Sequence, residues 1–289
     1  MFKNITSEHL AHAYRNACMA ELQALKPGNV HVFADGHGMT IDDFVKSADV
    51  SAVVIAQPHL SVGGRILYAV QATQKAVGLN TNLGLVLLCA PLIQAATFQL
   101  IDSTKTLQQH LVNVLGQLSI EDAQHAAQAI VLAKPAGLGD AAEHDVNFSP
   151  RVTLLEMMQS AQHKDRIAWQ YANAFADIVD FGMARYVDAM TKWDNQAWST
   201  TALYLGFLAR QVDTHIARKY GDAVAEAVMS EAQSFEADYW GTDNPKLVQK
   251  KLLDWDASLK RRSLNPGSSA DLTVATLLAV YLAELTRYS

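Results

Sequence analysis

The chain has 289 residues, 50% hydrophobic and 18% charged, with 23 Lys+Arg against 29 Asp+Glu for a net charge of −6. Such a chain is not a disordered polymer, and at this length folding buries roughly 75% of the unfolded surface without covalent staples. Only 15 glycines and 7 prolines argue against a many-stranded sandwich, and scattered charges of net acidic sign argue against a nucleic-acid groove.

Thr6 and Ser7 precede apolar residues at Leu10, Tyr14, Ala17, Cys18, Leu22 and Leu25, whose three-and-four spacing predicts a helix ended by Lys26-Pro27-Gly28. Thr40, with Asp43 in the first turn, opens a second helix that Pro58 closes. A third runs from Gly63-Gly64 to Gly78, and a fourth follows Asn80-Thr81-Asn82 from Leu83 to Phe98. Ser119 and Asp122 make a capping-box pattern ahead of Ala123 to Ala133, and Pro135 stops that helix. Ala136 to Pro150, rich in Gly, Asp and Asn and without periodicity, reads as an ordered loop of the length that carries function. Further helices are expected at Leu154 to Gln162, Arg166 to Met190, Asn195 to Lys219, Asp222 to Asp238, Pro245 to Leu259 and Ser268 to Tyr288. No segment alternates with period two and no linker interrupts the chain, so residues 1–289 are expected to form one all-α, multi-helix domain.

Cys18 and Cys89 lie singly on apolar helix faces, as buried thiols in a reducing cytosol do. The apolar stretches Leu83 to Phe98 and Leu272 to Leu285 are shorter than a membrane span, and the first residues lack the apolar core of a signal peptide. A cytoplasmic protein without membrane or nucleic-acid partners is expected.

Glu21 projects from the apolar stripe of the first helix, where a carboxylate is costly unless paired, bound to a cation or poised as an acid or base. The loop after it, LKPGNVH, offers Lys26 as a charge and Gly28 as a point of close backbone approach. Gly63-Gly64-Arg65 and Asn80-Thr81-Asn82 stand at helix starts, which either cap themselves or attract phosphate. Asp140, Glu143, His144 and Asp145 cluster in the long loop, as ligands of a hard divalent ion or as a solvated acidic segment. Gly137-x-Gly139-x-x-Ala142 matches a dinucleotide fingerprint but follows a capped helix rather than a strand. His144-Asp145, with His125 and Asp213 elsewhere, also suits a metal-dependent HD phosphohydrolase, although that dipeptide belongs on a helix. Ser268 and Asp271 make another capping-box pattern behind a rigid Asn265-Pro266-Gly267, while Asp213, His215 and Lys219 fall near a helix end and read equally well as surface residues.

Taken together, KPGNV (26–30), NTNLG (80–84), the loop from GLGD to EHDV (137–146), DRIAWQYANAF (165–175), DTHIARKYG (213–221) and NPGSSADL (265–272) resemble the triphosphoribosyl-dephospho-CoA synthase family over nearly the whole chain. The resemblance implies an all-helical enzyme that transfers the triphosphoribosyl group of ATP to the ribose 2′-hydroxyl of 3′-dephospho-CoA and releases adenine. Members serving citrate lyase follow the KPG loop with Gly-Ala-His-x-Asp-Met; here HVFADGHGMT (31–40) stands instead, and KPGNVH looks more like the branch of methanogens and methylotrophs. For that branch another acceptor, in tetrahydromethanopterin-linked one-carbon metabolism, is the alternative, and a non-catalytic helical partner protein is a third reading.

Ribosyl transfer needs a carboxylate near an oxocarbenium-like sugar, a base for the incoming hydroxyl and neutralisation of the triphosphate. Glu21 and Asp145 are expected as the carboxylates, and Asp140, Glu143 and Asp271 as Mg²⁺ ligands. Lys26, Gly28, Asn29, Arg65, Asn80, Thr81, Asn82, Lys219, Asn265 and Ser268 are expected to bind nucleotide, the asparagines by reading the adenine edge or the phosphates. ATP, Mg²⁺ and dephospho-CoA are the implied small-molecule partners, and a homo-oligomer is left open.

Overall fold

In the computed structural model, which describes residues 6–101, 106–134 and 150–287, the chain forms two apolar clusters that share one long helix. Helices α1 (Ser7–Gln23), α2 (Ile41–Ile55), α3 (Val62–Val77), α4 (Leu83–Ile101), α5 (Leu107–Gly116), α6 (Ile120–Ala133), α7 (Leu154–Ala161) and α8 (Arg166–Ala172) supply most of the first cluster. Helices α9 (Met183–Trp193), α10 (Gln196–Arg210), α11 (Thr214–Tyr220), α12 (Asp222–Gly241) and α13 (Lys246–Arg261) supply most of the second. The last helix, α14 (Gly267–Arg287), packs on α1, α4, α10 and α11 and belongs to both. The described residues contain no β-strand, in keeping with the all-α expectation.

The two clusters meet at a seam. Leu25 after α1, Leu264 before α14 and Ala270 in its first turns pack with the second cluster, whereas Ala17 and Cys18 of α1 and Leu272 of α14 pack with the first. The strap between α1 and α2 and the Asn265-Pro266 turn therefore run along a boundary where buried polar groups can be placed without opening either core. By length and composition Gly267–Leu285 could cross a membrane, but 72% of its most apolar window is buried within the fold, as in the core helix of a globular protein.

Local caps account for most helix starts. Thr40, Thr106, Ser119 and Thr153 each accept a backbone N–H and are answered by the side chain three residues on, including Asp122 on Ser119 as expected. The same device starts α5, which the hydrophobic pattern alone did not single out. The Ser268-x-x-Asp271 pattern does not act this way: α14 already begins at Gly267, and the Ser268 hydroxyl bonds to Thr214 and to the backbone N–H of His215.

Two expected long helices are broken by tertiary contacts. Between α8 and α9, Ala174 and Phe175 take left-handed backbone (φ 50° and 60°) so that Phe175 can bury against Tyr171, and a π-helical turn over Asp177–Gly182 follows. Asp177 there turns back to pair with Arg166 through two hydrogen bonds of 2.7 and 2.8 Å. Between α10 and α11 the chain is extended at Gln211, and Asp213 caps the new helix.

Helices α3 and α6 approach most closely where Gly63 faces Asp122. A methyl group on Gly63 would stand 2.6 Å from the Asp122 carbonyl oxygen, a backbone atom that cannot turn aside. Gly63→Ala is therefore expected to destabilise the fold by about 1–3 kcal/mol, read as a melting temperature several degrees lower by calorimetry.

Candidate active site

Glu21 lies in the last turn of α1 with its carboxylate in the seam, and the chain turns so that Lys26 comes back to it. The Lys26 ammonium donates to Glu21 Oε1 and, at 3.0 Å, to Asn29 Oδ1, while Asn29 Nδ2 donates to Asn265 Oδ1 at 2.8 Å. Glu21 is 5% exposed and Lys26 fully buried, so both charges are held out of water. Burial pushes the Glu21 carboxyl up and the Lys26 ammonium down from their usual ranges, and the attraction between the two opposes each shift.

A second buried carboxylate holds the strap. Asp256 of α13 accepts the Gly28 N–H at 2.8 Å and the Lys260 ammonium at 3.1 Å, and His31 Nε2 lies 3.3 Å from it. Gly28 has φ +85°, and a side chain there would collide with Pro266, so only glycine fits both the turn and the contact. Lys260 also donates to the Ala34 carbonyl, His37 Nε2 to the Gly28 carbonyl and the Tyr204 hydroxyl to the Pro27 carbonyl. Burial pushes the Asp256 carboxyl up, but the neighbouring His31 ring and the hydrogen bonds from Gly28 and Lys260 outweigh it and hold it below the usual range.

Beside Glu21 opens a narrow crevice, with room for little more than a water molecule, whose polar walls are Glu21, Tyr14, Ser47, Thr81 and Asn82. Thr81 meets the Ser47 hydroxyl at 2.5 Å, Asn82 donates to Thr73 at 2.8 Å, and Tyr14 and Ser51 are 3.0 Å apart, so this wall is fixed by its own hydrogen bonds. Asp271 borders the NTNLG turn: a methyl group on Gly84 would stand 2.7 Å from its carboxyl carbon. Burial, reinforced by the negative charges of Glu21, Asp213 and Asp165, pushes Asp271 well above the usual carboxylate range. Asp213 is buried, a correction to its reading as a surface residue. Its Oδ2 accepts the N–H and hydroxyl of Ser269, both at 2.8 Å, and its Oδ1 caps α11.

Glu21, Lys26, Gly28, Asn29 and Asn265 thus form one set, Thr81 and Asn82 face the same cleft, and Asp271 borders it. Ser268 joins through Thr214 and His215, and Lys219 is exposed on α11 within electrostatic reach of His37 and His215. Asn80 is exposed and accepts the Leu83 N–H, a helix cap. Arg65 is placed elsewhere. Its fully buried guanidinium donates to the Ile55 carbonyl and to Gln94, and burial pulls it down to about 10. The helix start beside it is likewise filled from within, since the Gly63 N–H binds Asp122 Oδ1 at 2.7 Å. Asp140, Glu143, His144 and Asp145 lie outside the described residues. His125, proposed for the HD alternative, packs beside Tyr68 on α6, away from the groups bonded to Asp213. Among the described residues no group of three His, Cys, Asp or Glu side chains is arranged to hold a metal ion.

Asp256, Lys260 and His31 were missed by sequence reasoning. Asp256 and Gly28 are 228 positions apart, and a lysine four residues after an aspartate on α13 reads as an ordinary surface pair.

The fold is all-helical, and its crevice is lined by one buried carboxylate, Glu21, which is itself paired with the buried Lys26. The chain belongs to the CitG family, ATP:dephospho-CoA triphosphoribosyl transferase, whose model matches residues 7–289, and it is a transferase of that class. Its fold is also that of a crystal structure of a candidate triphosphoribosyl-dephospho-CoA synthase from Archaeoglobus fulgidus, with a TM-score of 0.62 and 19% identity over 86% of this chain and 100% of that one. A search of curated proteins finds no match.

Because Asp256 is held below the carboxylate range, its contribution to stability is complete above the unfolded-state value near 3.8 and is lost as pH falls through the folded one. Asp256→Asn is expected to lower stability by about 3 kcal/mol at pH 7, with the gap to wild type closing below pH about 4, by urea unfolding across pH.

Proposed function

We propose that Glu21 is the general base of the triphosphoribosyl transfer and that the reacting ribose hydroxyl meets it at the mouth of the crevice it lines. The observation that carries this reading is that Glu21 both pairs with Lys26 of KPGNV and lines the cleft with Thr81 and Asn82 of NTNLG, joining two motifs far apart in the chain. In the transfer the acceptor 2′-oxygen bonds to C1 of the donor ribose, the bond from C1 to adenine breaks with its electron pair leaving on adenine, and the hydroxyl proton passes to Glu21. Lys26 opposes the pull of burial on Glu21, and Asn29 and Asn265 hold Lys26 in line. Asp145 is the second carboxylate of this reading, stabilising positive charge on the sugar.

Magnesium, with Asp140, Glu143 and Asp271 as ligands, belongs to the same proposal. Of the three only Asp271 lies among the described residues, which by themselves do not make a magnesium site, and no step is routed through the ion. The KPGNVH sequence supports placing the chain with the branch of methanogens and methylotrophs, and the two free, buried cysteines suit a cytoplasmic setting.

Incubation with ATP, Mg²⁺ and dephospho-CoA, followed by mass spectrometry, is expected to yield adenine and the triphosphoribosyl adduct in equal amounts. Adenine formed equally well without an acceptor would overturn the reading in favour of hydrolysis. Glu21→Gln should slow adenine release by about 10²–10⁴.

A further inference from the structure

Lys26, Pro27, Gly28 and Asn29 make one reverse turn, closed by the 3.0 Å bond from the Asn29 N–H to the Lys26 carbonyl. Proline stands second and glycine third, at φ +85°, which defines a type II turn. The side chains of its first and last residues are joined as well, since the Lys26 ammonium donates to Asn29 Oδ1 at 3.0 Å while it meets Glu21. The conformation of the turn therefore sets where Lys26 points.

Type I and type II turns differ by a half-rotation of the central peptide, and a glycine in third place permits both. Here the central peptide is the one joining Pro27 to Gly28, and buried side chains grip it at both ends. The Tyr204 hydroxyl of α10 donates to its carbonyl at 2.7 Å, and Asp256 of α13 accepts its N–H at 2.8 Å. A half-rotation would aim the carbonyl at the Asp256 carboxylate, acceptor against acceptor, and turn the N–H away from it. Tyr204 is the one hydrogen-bond donor to the Pro27 carbonyl among the described residues. With its hydroxyl gone, that carbonyl is left buried without a partner, and the peptide is held from one end only.

We propose that Tyr204 is a positioning residue of the transfer: its hydroxyl, working across one peptide from Asp256, locks the turn that aims Lys26 at Glu21. The proposal rests on the reading of Glu21 as the base and adds to it a residue of the second apolar cluster. Tyr204 acts through Lys26 and takes no proton in the reaction.

The test begins with Tyr204→Phe, which removes one oxygen and leaves the ring in its cluster. The kcat for acceptor-dependent adenine release should fall by about tenfold, with the KM values for ATP and dephospho-CoA within about twofold of wild type. Combined with Glu21→Gln, the same change should cost nothing further in kcat, because the group that Lys26 supports is gone. A merely structural role would lower kcat by the same factor in both backgrounds, and that result would overturn the proposal, as would an unchanged kcat in Tyr204→Phe or a loss confined to KM. The lock is also read without turnover, by hydrogen exchange of isotopically labelled glycine amides followed by NMR, below the melting temperature that calorimetry gives for each variant. In Tyr204→Phe the Gly28 amide should exchange at least about tenfold faster, while Gly63, held by Asp122 between α3 and α6, keeps its wild-type rate. Unchanged exchange at Gly28, or equal acceleration at Gly63, would overturn the lock. Failure of the Glu21 reading shows separately: Glu21→Gln would release adenine at the wild-type rate while Gly28 exchange still responded to Tyr204→Phe.

Discussion

The buried pair between Glu21 and Lys26 is the constraint around which the rest of the structure is arranged. Two ions removed from water carry a desolvation cost of several kcal/mol each, which their attraction offsets only when the geometry is tight and the remaining hydrogen-bonding groups are satisfied. The surrounding residues meet that condition. Asn29 takes a second Lys26 proton and Asn265 takes the Asn29 amide, so the ends of α1 and the start of α14 are tied through one ammonium. Asp256 then anchors Gly28 and the strap beyond it, which keeps Lys26 from swinging out to solvent. The seam between two apolar clusters is where such a network fits, because polar groups there displace no core packing.

The acidic balance of the chain acquires a structural meaning from its helix starts. A helix N-terminus attracts an anion, and at α3, α8, α11 and α14 that anion is a carboxylate of the protein itself: Asp122, Asp165 and Asp213, the last serving two helices at once. Asp122 also closes its own capping box, and the hydrogen bonds from Ser119, Ser61 and Gly63 outweigh the effect of burial and keep it low. These ends are therefore closed to substrate phosphate. Substrate anions must instead be met by groups other than these helix starts.

Much of the fold was legible because helices announce themselves locally. Capping pairs such as Thr40 with Asp43 and Ser119 with Asp122 act within four residues, and apolar spacing sets the buried face. What was hidden depends on distant partners. Phe175 leaves the helical path to bury against Tyr171, and Asp213 ends one helix and begins another because Ser269 needs its second oxygen. The site divides the same way. Glu21 stands out as a carboxylate on an apolar stripe, with Lys26 close in sequence, whereas Asp256 and Lys260 gain their role only when α13 is folded onto the strap. Arg65 misled for the opposite reason: a basic residue beside two glycines at a helix start resembles a phosphate site until Ile55 and Gln94 are brought against it.

The arrangement separates two electrostatic tasks that conflict in a single pocket. A base near a ribose must be ionised, yet a polyphosphate is repelled by every ionised carboxylate it approaches. Here burial and mutual repulsion push Asp271 toward its neutral form, while Lys26 opposes the same pull of burial on Glu21. Because the strap carrying His37 is tied by Asp256 and Gly28 to the loop carrying Lys26, the position of Lys26 against Glu21 is set by the fold rather than by the substrate. Orientation of that kind lowers a transfer barrier by removing the need to order two reactants at the moment of reaction.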